Sequence, residues 1–226
     1  MNNTCFSIAV DGPSGAGKSS LSKAVAKNYG IIYVDTGAMY RTIGLYCLRN
    51  EIDVHDAAAL EQAYPEIHID IRYDADGLQR MILNGEDVTE AIRQPAVSIA
   101  ASDVSAMPSC RAFLLETQRA FARTNSVIMD GRDIGTVVLP DADLKIYLTA
   151  SAEARAQRRL KELKEKGMEA TFEETLRDIE YRDYQDTHRE TAPLKQADDA
   201  ILIDTSELDY DQSLDLLCSI VAEKIL

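Results

Sequence analysis

The chain has 226 residues, 46% of them hydrophobic and 27% charged, with a formal net charge of −14. That is enough apolar material for a buried core, in one large domain or a core with small excursions, and the wrong sign for nucleic acid or an anionic membrane as main partner. No apolar run approaches the roughly 20 residues of a bilayer span, and Met1 to Val10 lacks the basic start and cleavage-type end of a signal peptide, so a cytoplasmic protein is expected.

In chain order, Phe6 to Val10 is a short apolar run stopped by Asp11-Gly12-Pro13, the signature of a buried strand and a turn. Ser19 to Asn28 reads as a helix with Leu21 and Val25 inward, ended by Gly30. A second strand spans Ile31 to Val34, Asp35-Thr36-Gly37 lies at its carboxyl end, and a helix follows from about Ala38 to Leu48. Between Ile67 and Val88 the rhythm changes. Ile67, Ile69 and Ile71 alternate with polar residues, Asp74-Ala75-Asp76-Gly77 forms a turn, and Met81-Ile82-Leu83 runs into Asn84-Gly85, which predicts a small antiparallel insert. Further strands are expected at Val127 to Met129, Leu144 to Leu148 and Ala200 to Ile203, with an amphipathic final helix near Asp211 to Ile225. Continuous apolar strands alternating with helices imply an α/β fold around a parallel sheet of about five strands. Ligands bind such sheets at the carboxyl ends of the strands, where the loops after Asp11, Asp35 and Asp130 should meet.

Cys5, Cys47, Cys110 and Cys218 are scattered, without a C-x-x-C pair or zinc spacing, and are expected to be reduced and mostly buried. His55, His68 and His188 are too separated to suggest a metal cluster.

The strongest motif is Gly12-Pro13-Ser14-Gly15-Ala16-Gly17-Lys18-Ser19, a complete G-x-x-x-x-G-K-[ST] between a strand and a helix. The glycines let successive N–H groups turn inward onto phosphate oxygens, and the helix adds the positive end of its dipole. Lys18 should reach the β- and γ-phosphates of ATP, the Ser19 hydroxyl should ligate Mg²⁺, and Ser20 completes the set. A dinucleotide turn is the competitor, since Gly15-Ala16-Gly17-Lys18-Ser19-Ser20 resembles G-x-G-x-x-[G/A] with Asp35 at the distance of a ribose acid. The last small position, however, is Ser20, and Lys18 has no role in such a turn. A guanine-reading N-K-x-D motif is missing, which argues against a GTPase.

Arginines accompany the loop. Arg41 follows the second strand and Arg132 the Val127 strand. Arg155, Arg158 and Arg159 share one helix face by spacing, and so do Arg182, Asp186 and Arg189. Arg presents an always-charged planar fork to phosphate, suited to joining two polyanions and steadying a phosphoryl group in flight. A phosphate acceptor is already anionic and needs no general base, in keeping with the lack of an evident catalytic His. A hydroxyl acceptor would need one, with Asp35 or Asp133 as candidates.

Asp11-Gly12-Pro13-Ser14-Gly15-Ala16-Gly17-Lys18, Asp35-Thr36-Gly37-Ala38-Met39-Tyr40-Arg41 and Asp130-Gly131-Arg132-Asp133-Ile134-Gly135-Thr136 together resemble the bacterial cytidylate kinase family. Gly85-Glu86-Asp87-Val88, Ala100-Ala101-Ser102 and Ala192-Pro193-Leu194 extend the likeness over essentially the whole chain. The resemblance implies a P-loop nucleoside monophosphate kinase fold. Its parts would be a core (1–35, 107–150, 192–226), a monophosphate-binding region with the insert (36–106) and a helical lid (151–191). It implies transfer of the γ-phosphoryl group of ATP to CMP or dCMP with Mg²⁺, by a monomer. Arg41, Arg132 and Arg189 would clamp the acceptor phosphate near Tyr40 and Thr36. Ser102, Arg111 and Asp133 would read cytosine, and Arg182 and Asp186 would hold the sugar. Arg155, Arg158 and Arg159 would close over ATP, with Lys18, Arg132, Arg159 and Arg189 acting on the transferring group. A carboxylate at Asp133 suits cytosine, whose amino group donates where uracil offers an acceptor. Asp133 bracing Arg132, Ser102 capping a turn, and Asp35 orienting the Thr36 loop are the structural alternatives. Where family members often carry a further Arg this chain has Gln185, which leaves the lid-side charge count open, and Thr36 stands where some have Ser; neither departure touches the chemistry. Kinases of UMP, AMP or a metabolite hydroxyl, and a non-catalytic nucleotide switch, are the competing functions.

Overall fold

The computed structural model describes residues 5–75, 77–165 and 167–225. Strand β1 (Ser7–Asp11) leads through the glycine-rich loop to α1 (Lys18–Tyr29), then β2 (Ile32–Asp35) and α2 (Thr36–Arg49). The insert follows as α3 (Ala57–Ala63), β3 (Ile69–Tyr73), β4 (Gln79–Leu83) and β5 (Glu86–Asp87), and then α4 (Pro95–Ala106) and α5 (Pro108–Thr124). The chain returns to the core as β6 (Val127–Gly131) and β7 (Leu144–Thr149). A helical hairpin, α6 (Ala152–Glu165) and α7 (Phe172–His188), precedes β8 (Ile201–Asp204) and α8 (Tyr210–Ile225).

The core sheet has five strands in the order β2-β6-β1-β7-β8, all pairs parallel. Alternation assigns each face. Ile8, Val10 and Ile128 pack with Leu21 and Val25 of α1 and Leu217 and Val221 of α8, whereas Ala9, Val34 and Met129 face Ile134, Val138 and the α5 side chains Leu115 and Phe121. Burial on both faces is why β1, β2 and β6 read as continuous apolar runs, whereas β8 at the edge leaves Leu202 exposed. The order places β6 between β1 and β2 and aligns Asp11 with Gly131 and Asp35 with Asp130. Three loops therefore leave the same sheet edge.

The insert is a separate antiparallel sheet, β3-β4-β5. Asn84 and Gly85, at φ 49° and 88°, form the second turn, the left-handed pair that a tight hairpin needs. Asp76 of the first turn lies outside the described residues. The insert docks on the sheet's edge strand: the Gln79 amide accepts from Asp35 N at 2.7 Å and donates to Asp35 O at 3.3 Å, and Tyr73 donates to Tyr33 O at 2.9 Å. Helix α2 crosses α4 closely, since a Cβ on Gly44 would lie 3.0 Å from Ala101 N.

Helix α7 ends at His188, but Arg189 N still bonds Gln185 O at 3.1 Å and its φ of −63° is helical, so its side chain stays on the side of Arg182 and Asp186, with Nη1 4.0 Å from Asp186 Oδ1 and Nη2 3.5 Å from Asp133 Oδ1. Only the chain beyond it turns away (ψ 141°), and Leu194 N donates to Asp186 O at 2.7 Å as it folds back across the helix end. Of the cysteines, Cys47 and Cys110 are buried, Cys218 is half-buried and Cys5 is exposed. No described helix is long and apolar enough to cross a membrane.

Candidate active site

The phosphate loop is shaped by its glycines. Gly12 sits at φ +150°, and a Cβ there would lie 1.9 Å from Leu148 O, so the loop passes flush against the neighbouring strand. Helix α1 begins after Gly17 without a side-chain cap or an acidic residue in its first turn, which leaves its N-terminal N–H groups to an anion. Lys18 is buried and curls back to donate to Gly12 O at 2.7 Å and Pro13 O at 2.8 Å. Burial and the Arg132 charge lower its pKa to about 7. Ser19 donates to Asp130 Oδ2 at 2.6 Å, and Tyr33 donates to the other oxygen at 3.1 Å. Burial, aided by the nearby Asp35 charge, lifts the Asp130 carboxyl to about 6. The Ser19 hydroxyl and the Asp130 carboxylate are hard oxygen donors side by side at the mouth of the loop, a set that fits Mg²⁺.

Across the sheet edge lie the acceptor-side residues. Asp35 caps α2 by accepting from Ala38 N at 2.8 Å and from Arg41 Nη2 at 2.8 Å. Burial pushes its carboxyl up, but the Arg41 charge and the Ala38 N–H outweigh that and hold it below the ordinary range. Thr36 spends its hydroxyl on Asp130 O at 2.7 Å. Arg132 Nε donates to Asp186 Oδ2 at 2.6 Å. Asp133 is buried between two guanidiniums, hydrogen-bonded to Arg111 and 3.5 Å from Arg189 Nη2. Arg111 also lies over the Tyr40 ring, 5.5 Å from its centroid, and donates to Ser105 O near Ser102. Arg182 makes no hydrogen bond among the described residues. Burial first and the Arg132 charge second lower its pKa to about 10, with Asp186 acting against them.

Among the described residues only three buried side-chain polar atoms lack a partner: Ser22 Oγ, Arg41 Nε and Arg189 Nη2. Two of the three are guanidinium donors of the expected phosphate clamp. A buried unpaired donor costs about 1–3 kcal/mol, so both guanidiniums hold hydrogen-bonding capacity that the protein itself does not use.

The lid arginines divide. Arg155 is buried and spends its donors on Ala150 O, Ser14 O and both oxygens of Asp183, so it ties the phosphate loop to α7 from behind. Arg158 holds the loop after β8 through Thr205 Oγ1, Thr205 O and Leu208 O. Arg159 is half-exposed and pairs with Glu162 at 3.0 Å. Sequence reasoning passed over Asp11, Asp130 and Asp183 as site residues. Asp130 had a signal: it ends the strand beside the phosphate-loop strand. Asp183 had none, because its partner lies on another helix.

A family model described as "Cytidylate kinase" matches residues 8–223. The chain is 51% identical over 209 residues to the cytidylate kinase of Caldicellulosiruptor saccharolyticus, covering 92% of each chain. It is 45% identical over 222 residues to that of Lactobacillus johnsonii, covering 98% of this chain and 96% of the relative. An uncharacterized protein from Eubacterium ventriosum shares the fold, with TM-score 0.54 at 14% identity over 97% of this chain and 99% of its own.

Proposed function

The chain belongs to the cytidylate kinase family, and from that premise we propose how its residues carry out transfer of the γ-phosphoryl group of ATP to CMP or dCMP. The observation that carries the reading is the pair of buried guanidinium donors left without a hydrogen bond, Arg41 Nε and Arg189 Nη2, on two arginines of the acceptor side. A nucleotide switch needs one polyanion site, whereas this chain keeps cations for a second.

The loop N–H groups and the start of α1 bind the triphosphate, and Lys18 swings from Gly12 O and Pro13 O onto the β- and γ-phosphates. Arg41, Arg132 and Arg189 hold the acceptor phosphate in line with the γ-phosphorus. An acceptor phosphate oxygen then forms the new P–O bond as the bond to the bridging oxygen of ADP breaks, and no proton need move. Arg182, Arg132 and Arg159 face the charge spread over the phosphoryl oxygens in flight. Asp133, aligned by Arg111, accepts from the cytosine amino group, with Ser102 and Tyr40 lining the base and Asp186 the sugar. Ser19 and Asp130 would hold Mg²⁺, whose charge neutralises the β- and γ-oxygens when bound. The division into core, monophosphate-binding region and lid follows from the same reading, with Arg155 and Asp183 joining lid to loop.

ADP release measured with CMP, dCMP, UMP, AMP and no acceptor tests the assignment. CMP and dCMP should exceed the others by at least about tenfold in kcat/KM, the order expected when a buried polar group reads the base edge. Activity only without acceptor, or a preference for AMP, would overturn it.

A further inference from the structure

Asp133 heads a short, wide turn, Ile134–Val138, which has no side-chain cap from its own residues. Val138 N bonds Asp133 O at 3.1 Å and Leu139 N bonds Ile134 O at 2.7 Å, one residue wider than an α-turn. Both ends are held from elsewhere by opposite charges. At the first end Asp11 accepts from Ile134 N and Gly135 N, each at 2.7 Å, using one carboxylate oxygen apiece. At the other end Arg119 donates Nε to Val138 O at 3.0 Å and Nη2 to Val137 O at 2.9 Å. Anion at the N–H end and cation at the carbonyl end both complement the dipole of the turn. The seat has little slack, since a Cβ on Gly135 would meet Lys145 Cδ at 3.1 Å and Asp11 Oδ2 at 3.4 Å.

Arg119 and Arg111 belong to the same helix, so α5 grips this segment twice, once at the Asp133 carboxylate and once at the far end of its turn. We propose that Asp11 and Arg119 are positioning residues for acceptor recognition: they clamp the 134–138 turn and thereby fix the direction of the Asp133 carboxylate. This rests on Asp133 reading the acceptor base.

The test is steady-state kinetics of Arg119→Ala, Arg119→Lys, Asp11→Asn and Asp133→Ala with CMP, UMP and ATP varied in turn. Arg119 is half-exposed, so water can solvate the carbonyls it leaves and folding should survive. Arg119→Ala should raise KM for CMP about five- to tenfold and lower the CMP-to-UMP ratio of kcat/KM by a similar factor, with KM for ATP within about twofold. Arg119→Lys, which keeps a donor, should recover most of the loss, and in the Asp133→Ala background removing Arg119 should add nothing to KM for CMP. Asp11→Asn should raise KM for CMP more than KM for ATP; the reverse would strike Asp11 from the pair. If Asp133→Ala itself leaves acceptor kinetics unchanged, the reading of Asp133 fails and the proposal with it. If Asp133→Ala has its effect but Arg119→Ala has none, or raises both KM values alike, only the positioning role is overturned.

Discussion

Lys18 is the group whose charge ATP should change. Its ammonium is buried against the loop it serves, and burial with the Arg132 charge brings its pKa to about 7. At pH 8 that leaves about one molecule in ten with a charged Lys18. A triphosphate in the loop favours the charged form and should raise that pKa well above 8, so binding at pH 8 takes up most of one proton. With Mg²⁺ in excess the nucleotide is fully ionised there and contributes little. At pH 6 the same lysine is already about nine-tenths charged, and its uptake falls to about 0.1. The carboxyls move the other way. Asp130 and Asp11 sit at about 6 through burial and are half protonated at that pH. Bringing the cation to Asp130 expels its proton, so the net sign at pH 6 is release. Calorimetric titration of the enzyme with ATP·Mg²⁺ in buffers of different ionisation enthalpy reads this directly, because the slope of binding enthalpy gives the protons exchanged. Uptake at pH 8 and release at pH 6 are expected, and Lys18→Met should abolish the first. A zero slope at pH 8 with native Lys18 would refute the reasoning.

Arg189→Ala should lower kcat on the order of 10²–10³-fold while the ATP dissociation constant moves by less than about threefold, because its guanidinium faces Asp133 and Asp186 rather than the phosphate loop. Intact turnover would remove it from the clamp. Gly12→Ala places a methyl 1.9 Å from Leu148 O at φ +150°; thermal unfolding should show a loss of about 2–4 kcal/mol, and equilibrium titration should show ATP binding weakened at least about a hundredfold. Gln79→Ala leaves the Asp35 backbone without the amide that pairs with it. It should cost about 1 kcal/mol and speed hydrogen exchange at the Asp35 N–H; unchanged exchange would mean that the Gln79 amide does not protect it.

The core was legible because both faces of its central strands are covered. Four of the five apolar runs stop at an aspartate (Asp11, Asp35, Asp130 and Asp204) and the fifth at Thr149, and the phosphate loop marked which strand came first. The insert was legible from alternation and from Asn84-Gly85, whose left-handed backbone few other pairs tolerate. Helices α4 and α5 were not delineated, since Pro108 interrupts a run of small and apolar residues that gives no sharp period. Spacing served at Arg189, because the residue keeps a helical φ and its N–H bond to Gln185 O although the helix ends at His188. The arginine set was visible as a list, but not its internal economy. That Arg155 serves Ser14 O and Asp183 while Arg189 keeps a free donor depends on distances between elements far apart in the chain.

Those pairings explain how a chain of net charge −14 can be a receptor for two polyanions. Buried guanidiniums close together would repel one another strongly in a dry cleft, and each needs a counter-charge before substrate arrives. The chain supplies it locally: Asp186 for Arg132, Asp35 for Arg41, Asp133 for Arg111 and Arg189. Each of these aspartates leaves one cation its hydrogen-bond geometry or an unused donor, rather than saturating it. Arg132 is engaged with Asp186 through Nε, Arg41 keeps Nε free, and Arg189 keeps Nη2 free. A phosphate could therefore take up Arg41 Nε while the Asp35 pair stays in place, and compete with Asp133 Oδ1, 3.5 Å away, for Arg189 Nη2. Arg182, which makes no hydrogen bond among the described residues, adds to that attraction: burial first and the Arg132 charge second lower its pKa, and an incoming phosphate would offset the second. Acidity over the surface and attraction for phosphate in the cleft are compatible because the first is a sum over the whole chain. The second depends on a few donors that burial keeps from solvent.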